Sequence, residues 1–194
     1  MKYLTEASLP TEWGRFRMIT FGEDKDQYTP HVALVHELCD VNAPVLLRIH
    51  SECLTGDVFG SQRCDCGEQL HKSMEWIGKE KGALVYLRQE GRGIGISHKL
   101  DAYQLQDKGL NTIDANVHLG FEPDERDYES AVTILKYLGI TQVSLLTNNP
   151  EKIEALQKSD IKVIERRALV SSENAENKAY LDTKRVNMGH LFNS

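Results

Sequence analysis

The stretch VSLLTNNPEKIEALQKSDIKVIE, residues 143–165, decides the fold class. Residues 143–146 form a short apolar run typical of a buried strand, and the polar residues 147–150 close it with a turn. An asparagine suits a helix N-cap and Pro150 suits the first helical turn, so we predict a helix over 150–159 and a strand over 162–165. A strand, a helix and a second strand in close succession form a βαβ unit with parallel strands. The chain is therefore expected to be α/β.

The residues before this unit are expected to be rich in strands. Apolar runs at 16–21, 32–36 and 45–49, with polar turn residues between them, predict a β-rich N-terminal part. A further buried strand is predicted over 83–87, after a Lys-Gly turn. Together with the parallel strands of the βαβ unit, these strands are expected to belong to a mixed sheet.

Three helices are predicted between the N-terminal strands and the βαβ unit, the third over about 127–138. The apolar positions with helical spacing are Leu70, Met74 and Ile77 in the first helix and Ile96, Leu100 and Tyr103 in the second. Sheet and helices together predict a three-layer α/β fold. In this fold a mixed sheet has helices on both faces, and one βαβ unit lies near the C-terminus. A single domain over residues 1–194 accounts for this pattern.

The composition favours a globular protein of the cytoplasm with no membrane or nucleic-acid partner. Of the 194 residues, 40% are apolar, and 29 acidic against 23 basic residues give a formal net charge of −6. No run approaches the roughly 20 apolar residues of a membrane span, and the first residues lack the apolar core of a signal peptide. The acidic balance disfavours nucleic acid, so any phosphate ligand must be held by a few well-placed cations.

Three of the four cysteines have a spacing that suggests a metal site, since thiols stay reduced in the cytoplasm. They form the pattern C-x10-C-x-C at Cys53, Cys64 and Cys66. Zinc held by three protein ligands keeps a fourth position for water or substrate, as in catalytic sites. A structural zinc completed by His50 or His71, or three unrelated buried thiols, remain open alternatives. Cys39 lies apart and is expected to be a small buried hydrophobic residue.

Two turns have residues that could hold phosphate groups. Gly91–Gly95 follows a predicted strand and opens a helix, so its N–H groups can face an anion, with Glu90 and Arg92 beside it. Thr147 and Lys152 flank a helix start at the predicted carboxyl end of a strand, where α/β sheets bind ligands. Alternatively, the first is only a tight turn and the second an N-cap with an exposed lysine.

Five motifs together resemble GTP cyclohydrolase II, in order and across nearly the whole chain. They are HSECLTGDVFGSQRCDCGEQL at 50–70, RQEGRGIG at 88–95, PDERDY at 123–128, LLTNNPEK at 145–152 and YLDTKRVNMGH at 180–190. The resemblance implies hydrolysis of GTP to formate, pyrophosphate and 2,5-diamino-6-(5-phosphoribosylamino)pyrimidin-4(3H)-one, the opening step of riboflavin biosynthesis. It also implies one Zn²⁺ per chain, Mg²⁺ with the triphosphate, and a homodimer.

The resemblance assigns roles to individual residues. It makes Cys53, Cys64 and Cys66 the zinc ligands. The positions that match nucleotide contacts are Arg48, Ile49, His50, Ser51, Glu52, Gln69, Glu90, Gly91, Arg92, Thr112, Thr147 and Lys152. Asp124 matches a proton acceptor, and Tyr103 matches a tyrosine near the purine. Arg126 matches a proposed nucleophile toward the α-phosphate, but a guanidinium stays protonated, so we expect it to stabilise transition-state charge.

Two other functions compete with this interpretation. A zinc nucleobase deaminase would share the H-x-E pattern of residues 50–52, but its P-C-x-x-C partner motif is missing from the chain. A zinc-stabilised, non-catalytic GTP-binding protein would need neither Asp124 nor Arg126 nor Tyr103. Ammonia release would favour the deaminase, and nucleotide binding without turnover would favour the binding protein.

Overall fold

The computed structural model describes residues 1–191, with Asn187 described by its backbone alone. In that part of the chain seven strands form one sheet: β1 (Lys2–Thr11), β2 (Gly14–Gly22), β3 (His31–His36), β4 (Val45–Ser51), β5 (Ala83–Leu87), β6 (Gln142–Leu146) and β7 (Lys162–Arg167). The helices of residues 1–191 are α1 (Leu54–Asp57), α2 (Cys66–Glu80), α3 (Gly95–Gln106), α4 (Thr112–His118), α5 (Glu129–Tyr137), α6 (Pro150–Gln157) and α7 (Lys178–Asn187), and a 3₁₀ turn spans Glu90–Gly93. None of these helices is long and apolar enough to cross a bilayer.

The sheet is mixed, with the order β1-β2-β3-β5-β4-β6-β7. The neighbours from β1 to β5 pair antiparallel, and the pairs β5-β4, β4-β6 and β6-β7 are parallel. β1, β2 and β3 of the β-rich N-terminal part thus form the antiparallel half with β5, whereas β4 pairs only with parallel neighbours. In the other half β6 and β7 are parallel neighbours with α6 between them in the chain, which confirms the predicted βαβ unit.

Helices cover both faces of the sheet, as β4 illustrates. Its side chains alternate between the two faces and are buried on both. Leu47 and Ile49 join the larger core, which includes residues of α5 and α6, whereas Leu46 joins a smaller core with Met74 and Ile77 of α2. The three-layer arrangement is confirmed.

The parallel strands bring three of the sequence motifs to one edge of the sheet. Parallel neighbours have their carboxyl ends on the same side, where α/β sheets bind ligands. The cysteine loop follows β4, the glycine-containing 3₁₀ turn follows β5, and the Thr147 turn follows β6. Segments far apart in the chain therefore meet at a single place.

Some elements lie outside the sequence prediction. β1 is an edge strand in which only Leu4 is buried, so it lacks the apolar alternation that marks a strand. α4 is short and relies on its N-cap, Asn111, whose side chain accepts hydrogen bonds from two backbone N–H groups. α5 begins at Glu129 and not at 127, because Asp127 accepts a hydrogen bond from the Glu129 N–H and stays outside the helix.

The predicted inner face of α3 is wrong at Leu100, whereas Ile96 and Tyr103 are partly buried. Leu100, assigned to the apolar face, is 48% exposed, whereas its neighbour Lys99 is buried. The helix turns Lys99 inward because its ammonium makes two polar contacts with Cys53 and Glu90. Periodicity of apolar residues cannot anticipate a helix face that is set by a buried ion pair.

Candidate active site

The three predicted cysteines lie together. Cys53 directly precedes α1, and Cys66 is the first residue of α2. Their sulfurs and that of Cys64 all lie within 4.8 Å of one another, with 3.6 Å between Cys53 and Cys64. Hydrogen bonds from the other two thiols, helped by the charge of Lys99, lower the pKa of Cys53 although burial opposes this. The cluster therefore offers three soft ligands on one side of a cavity.

Neither histidine considered as a fourth ligand belongs to this cluster within residues 1–191. The Nε2 atom of His50 lies 3.0 Å from Asp57, and the ring of His71 packs edge-on against Trp13. Cys39 is half-buried against the larger core, and burial raises the pKa of its thiol, as expected of a packing residue. The geometry favours a three-ligand site over a closed structural one.

A buried carboxylate ties the cysteine loop to the sheet. Asp57 accepts hydrogen bonds from His50 Nε2, from the Tyr86 hydroxyl at 2.7 Å and from the Cys53 N–H at 3.0 Å. Burial, with the charges of Arg48 and Lys152, lowers the pKa of His50 despite this carboxylate. His50 is therefore neutral and donates through Nε2. Its buried Nδ1 has no hydrogen-bond partner in the described part of the chain and can accept from a ligand.

A first cleft, with an empty volume of about 660 Å³, opens beside the sulfurs. The predicted site residues that line it are Ser51, Glu52, Cys53, Cys64, Cys66, Glu90, Gly91, Arg92, Tyr103, Thr112 and Arg126. The Tyr103 hydroxyl lies 3.4 Å from Thr55 Oγ1, and burial raises the pKa of this phenol, so it stays protonated. This cleft combines thiols, hydrogen-bonding groups and the phenols of Tyr103 and Tyr180.

The glycine turn holds a strained residue in this cleft. Gly91 and Arg92 both have left-handed backbone angles, with φ of 63° and 65°. This conformation is ordinary for glycine but costs about 1–2 kcal/mol for arginine. One terminal nitrogen of Arg92 is buried without a hydrogen-bond partner among residues 1–191. A strained backbone that directs an unsatisfied guanidinium into a cleft is typical of a binding site.

A second cleft, with an empty volume of about 550 Å³, adjoins the first and is rich in cations. The predicted residues along it are Arg48, His50, Ser51, Cys66, Gln69, Arg92, Arg126, Thr147 and Lys152. Lys152 is 5% exposed, contrary to the alternative of an exposed lysine. Burial, together with the charges of Arg48, Arg126 and Lys184, lowers its pKa well below the usual value. A polyanion would relieve this repulsion, so the second cleft suits a phosphate chain.

Two predicted site residues do not line either cleft. The side chain of Ile49 is fully buried in the core, and only its backbone oxygen faces the site, accepting a hydrogen bond from Lys152 Nζ at 2.8 Å. Asp124 accepts two hydrogen bonds from the guanidinium of Arg126. Burial would raise the pKa of Asp124, but the bonds and charge of Arg126 outweigh it and lower that pKa.

The comparisons with known proteins decide the family. The sequence model of GTP cyclohydrolase II matches residues 2–168. This chain belongs to the GTP cyclohydrolase II family. It is 52% identical over 193 residues to the GTP cyclohydrolase-2 of Neisseria meningitidis, covering 99% of this chain and 97% of that protein. It is 51% identical over 195 residues to the GTP cyclohydrolase-2 of Blochmanniella floridana, covering 100% of this chain and 98% of that one.

Longer relatives contain the same region. The riboflavin biosynthesis protein RibBA of Bacillus cereus is 52% identical over 189 residues, which cover 97% of this chain and 47% of that protein. The chain thus spans about half the length of the RibBA relatives. Among solved structures, RibBX of A. baumannii, described as a two-domain 3,4-dihydroxy-2-butanone 4-phosphate synthase, has a TM-score of 0.45 at 18% identity. That similarity covers 88% of this chain and 40% of the other.

The GTP cyclohydrolase II model ends at residue 168, yet the C-terminal segment contributes to both clefts. Tyr180 lines each of them, with its hydroxyl 3.9 Å from Cys66 Sγ. Lys184 lines the second cleft and forms an ion pair of 2.6 Å with Asp65, which stands between two of the cysteines. The motif of residues 180–190 is one of the five that resemble GTP cyclohydrolase II, but the resemblance assigns its residues no role. Their polar side chains on a short helix gave no signal of burial.

The Lys184–Asp65 pair is expected to fasten this segment to the cysteine loop. In Lys184→Met, the fully buried carboxylate of Asp65 would keep only its contacts with Ser171 and Gln69. Removing one partner of a buried ion pair lowers the free energy of unfolding by about 3 kcal/mol, which urea denaturation would measure. Lys178→Met, on the exposed side of the same helix, should change little. Equal stabilities for the two variants would contradict the role of the pair.

Proposed function

We propose that this chain hydrolyses GTP, opens the imidazole ring and releases formate and pyrophosphate. The product would be 2,5-diamino-6-(5-phosphoribosylamino)pyrimidin-4(3H)-one, formed in the first step of riboflavin biosynthesis. The observation that carries this proposal is the position of the three-thiol cluster beside two joined clefts, one of them rich in cations. Membership of the GTP cyclohydrolase II family supports the same reaction.

The donor set fits one zinc ion per chain. Cys53, Cys64 and Cys66 would hold it, and the described residues supply no fourth protein ligand in the cluster. When bound, zinc supplies a Lewis acid with one open position and lowers the pKa of water there. Such a site requires reduced thiols, which supports a cytoplasmic location for the protein.

We assign the guanine base to the first cleft and the triphosphate to the second. C8 of guanine would face the cysteine sulfurs, with Ser51, Glu52 and the turn of residues 90–92 around the base. Arg48, Thr147 and Lys152 would surround the phosphates, where buried cations await an anion. Arg126 lines both clefts and would lie at the α-phosphate between them. Mg²⁺ would accompany the triphosphate, as in other phosphoryl transfers.

Arg126 would link the phosphate and ring chemistry. Its guanidinium holds the Asp124 carboxylate ionised but makes it a weak base. A phosphate that drew Arg126 away would raise the pKa of Asp124, turning it into a better proton acceptor. Tyr103, which stays protonated, would donate a hydrogen bond to orient water for the hydrolysis that frees formate. Neutral His50 lines the second cleft, and its Nδ1 would accept a hydrogen bond from a ribose hydroxyl, since ionised phosphate oxygens have no hydrogen to donate.

GTP labelled with ¹³C at C8 tests this function directly. NMR should show the label leave the purine and accumulate as formate, together with pyrophosphate. Ammonia release with the label retained in the ring would identify a deaminase. Stoichiometric GTP binding with no new carbon signal would identify a non-catalytic binding protein. Two further proposals concern the organisation of the protein: a homodimer, which the family resemblance implies, and a single domain, which the length of the chain favours. Light scattering on the intact chain tests the homodimer.

Gly56 makes room for the cysteine cluster, which gives a further prediction. A Cβ atom at this position would lie 2.8 Å from Cys64 Sγ and 3.2 Å from Cys53 Sγ. Gly56→Ala should therefore separate the sulfurs and lower zinc affinity by more than about tenfold, a loss of the size seen when the surroundings of metal ligands are disturbed. Competition with a chromophoric chelator measures it.

Gly60→Ala is the matched control in the same loop. A Cβ there meets no atom within 4 Å, although φ of +64° makes the substitution mildly strained. Zinc affinity should stay at the parent value in this variant. Equal affinities in the Gly56 and Gly60 variants would show that the packing around the sulfurs does not control metal binding.

A further inference from the structure

Lys99 is a buried cation that neither the sequence motifs nor the proposed chemistry uses. It lies one turn into α3 and is 8% exposed. Its Nζ lies 3.1 Å from Cys53 Sγ and 2.7 Å from Glu90 Oε1. An ammonium has donors only, so both contacts are N–H donations. Lys99 therefore bonds directly to one of the three sulfurs.

The fold positions Lys99 here at the expense of apolar packing. The next residue, Leu100, is left exposed on the same helix. With the helix turned by about 100°, the angle between successive residues, the leucine would face inward and the lysine would face water, where an ammonium is most stable. Burying an unpaired ammonium costs several kcal/mol, so the contacts with Cys53 and Glu90 offset most of this cost, with the Tyr103 ring 5.9 Å from the ammonium adding a cation–π contact.

Glu90 fixes the ammonium against the sulfur. Its Oε2 accepts a hydrogen bond from the Leu54 N–H at 2.6 Å, and its Oε1 accepts from the Gly91 N–H at 2.8 Å. The carboxylate thus joins the cysteine loop to the glycine turn and is already occupied by three donors. Glu90 therefore holds the Lys99 ammonium in place against Cys53.

We propose that Lys99 is a positioning residue for the metal centre: it donates a hydrogen bond to the Cys53 thiolate and thereby keeps the bound metal a stronger Lewis acid. The inference rests on the proposed metal site. Three thiolates around a divalent ion leave a net charge of −1 and supply much electron density to the metal. An ammonium that donates to one sulfur withdraws part of that density, as surrounding hydrogen bonds do in other metal sites.

The experiment uses the full chain loaded with Co²⁺, whose sulfur-to-metal charge-transfer band reports on the thiolates. Losing a hydrogen bond raises the energy of the sulfur lone pairs, so the band should move to longer wavelength in Lys99→Met. In Lys99→Gln, which keeps a neutral donor, the band should lie between those of the parent and the methionine variant. In Lys99→Arg, which keeps a charged donor, it should lie nearest the parent wavelength. With zinc, kcat of the methionine variant should fall about 10- to 100-fold while KM changes little.

Lys108→Met, an exposed lysine beyond the same helix, is the control and should leave the band unchanged. If the methionine variant does not fold, the glutamine variant carries the test with a smaller shift in the same direction. A band at the parent wavelength in the neutral variants, each holding one Co²⁺ per chain, would overturn the inference while leaving the metal site intact. A parent protein that binds neither Co²⁺ nor Zn²⁺ would overturn the metal site itself, and the role of Lys99 with it.

Discussion

The Cys64→Ser variant is expected to release no formate from GTP above background. Its rate should fall by about 10³-fold or more, because loss of one member of a catalytic group can abolish the function of the whole group. Cys64 is one of three sulfurs within 4.8 Å of one another, and a serine hydroxyl is a far poorer zinc ligand than a thiolate. Two ligands would not hold the ion at ordinary concentrations. Metal analysis of the purified variant and a formate assay on the same sample measure both effects.

Cys39→Ser is the matched control. Cys39 packs against the larger core away from the cluster, so this variant should keep its zinc and its rate while losing a little stability. A serine at position 39 weakens the packing of the core around it but leaves the three zinc-binding cysteines in place. Formate release at the parent rate by zinc-free Cys64→Ser protein would refute the assignment of the three cysteines.

Arg126→Ala is expected to slow pyrophosphate release by about 10³-fold or more, the range in which arginines stabilise the charge of phosphoryl transfer. Arg126 lines both clefts and is held in place by Asp124. Zinc should remain bound, since the cysteine cluster does not depend on this side chain. A coupled pyrophosphate assay gives the rate, and metal analysis verifies the site.

Two control variants distinguish the contribution of the Arg126 charge from that of its donor geometry and from a general effect of losing an arginine. Arg126→Lys keeps a cation but loses the planar pair of donors, so its rate should lie between those of the alanine variant and the parent. Arg15→Ala removes an exposed arginine of β2 and should change nothing. Pyrophosphate release at the parent rate by a folded Arg126→Ala protein would remove this residue from the phosphate chemistry.

The sequence predicted the parts of the fold that rest on apolar periodicity or turn chemistry. The N-cap at Asn149 with Pro150 behind it starts α6 as expected, and the apolar spacing of Met74 and Ile77 marks the buried face of α2. Both signals are local, so a single segment contains them. β1 escaped prediction because an edge strand pairs through its backbone and needs no apolar pattern.

The sequence predicted those site residues whose side chains are themselves a functional signal, such as the cysteines, which bind metals. Lys99, Asp57 and Lys184 gave no such signal, because a lone charged residue on a helix or in a loop is usually solvated. Their burial follows from partners distant in the chain: Lys184 meets Asp65 across 119 residues. Only the folded arrangement brings such partners together.

The most direct test of the central claim is the product balance of zinc-loaded protein with GTP and Mg²⁺, compared with the same protein after zinc removal by a chelator. Formate and pyrophosphate should appear in equal amounts, with the mass of the diaminopyrimidinone product, and formate should vanish without zinc and return when it is restored. Formate release that is independent of zinc, or pyrophosphate release with no formate from fully loaded protein, would contradict the account.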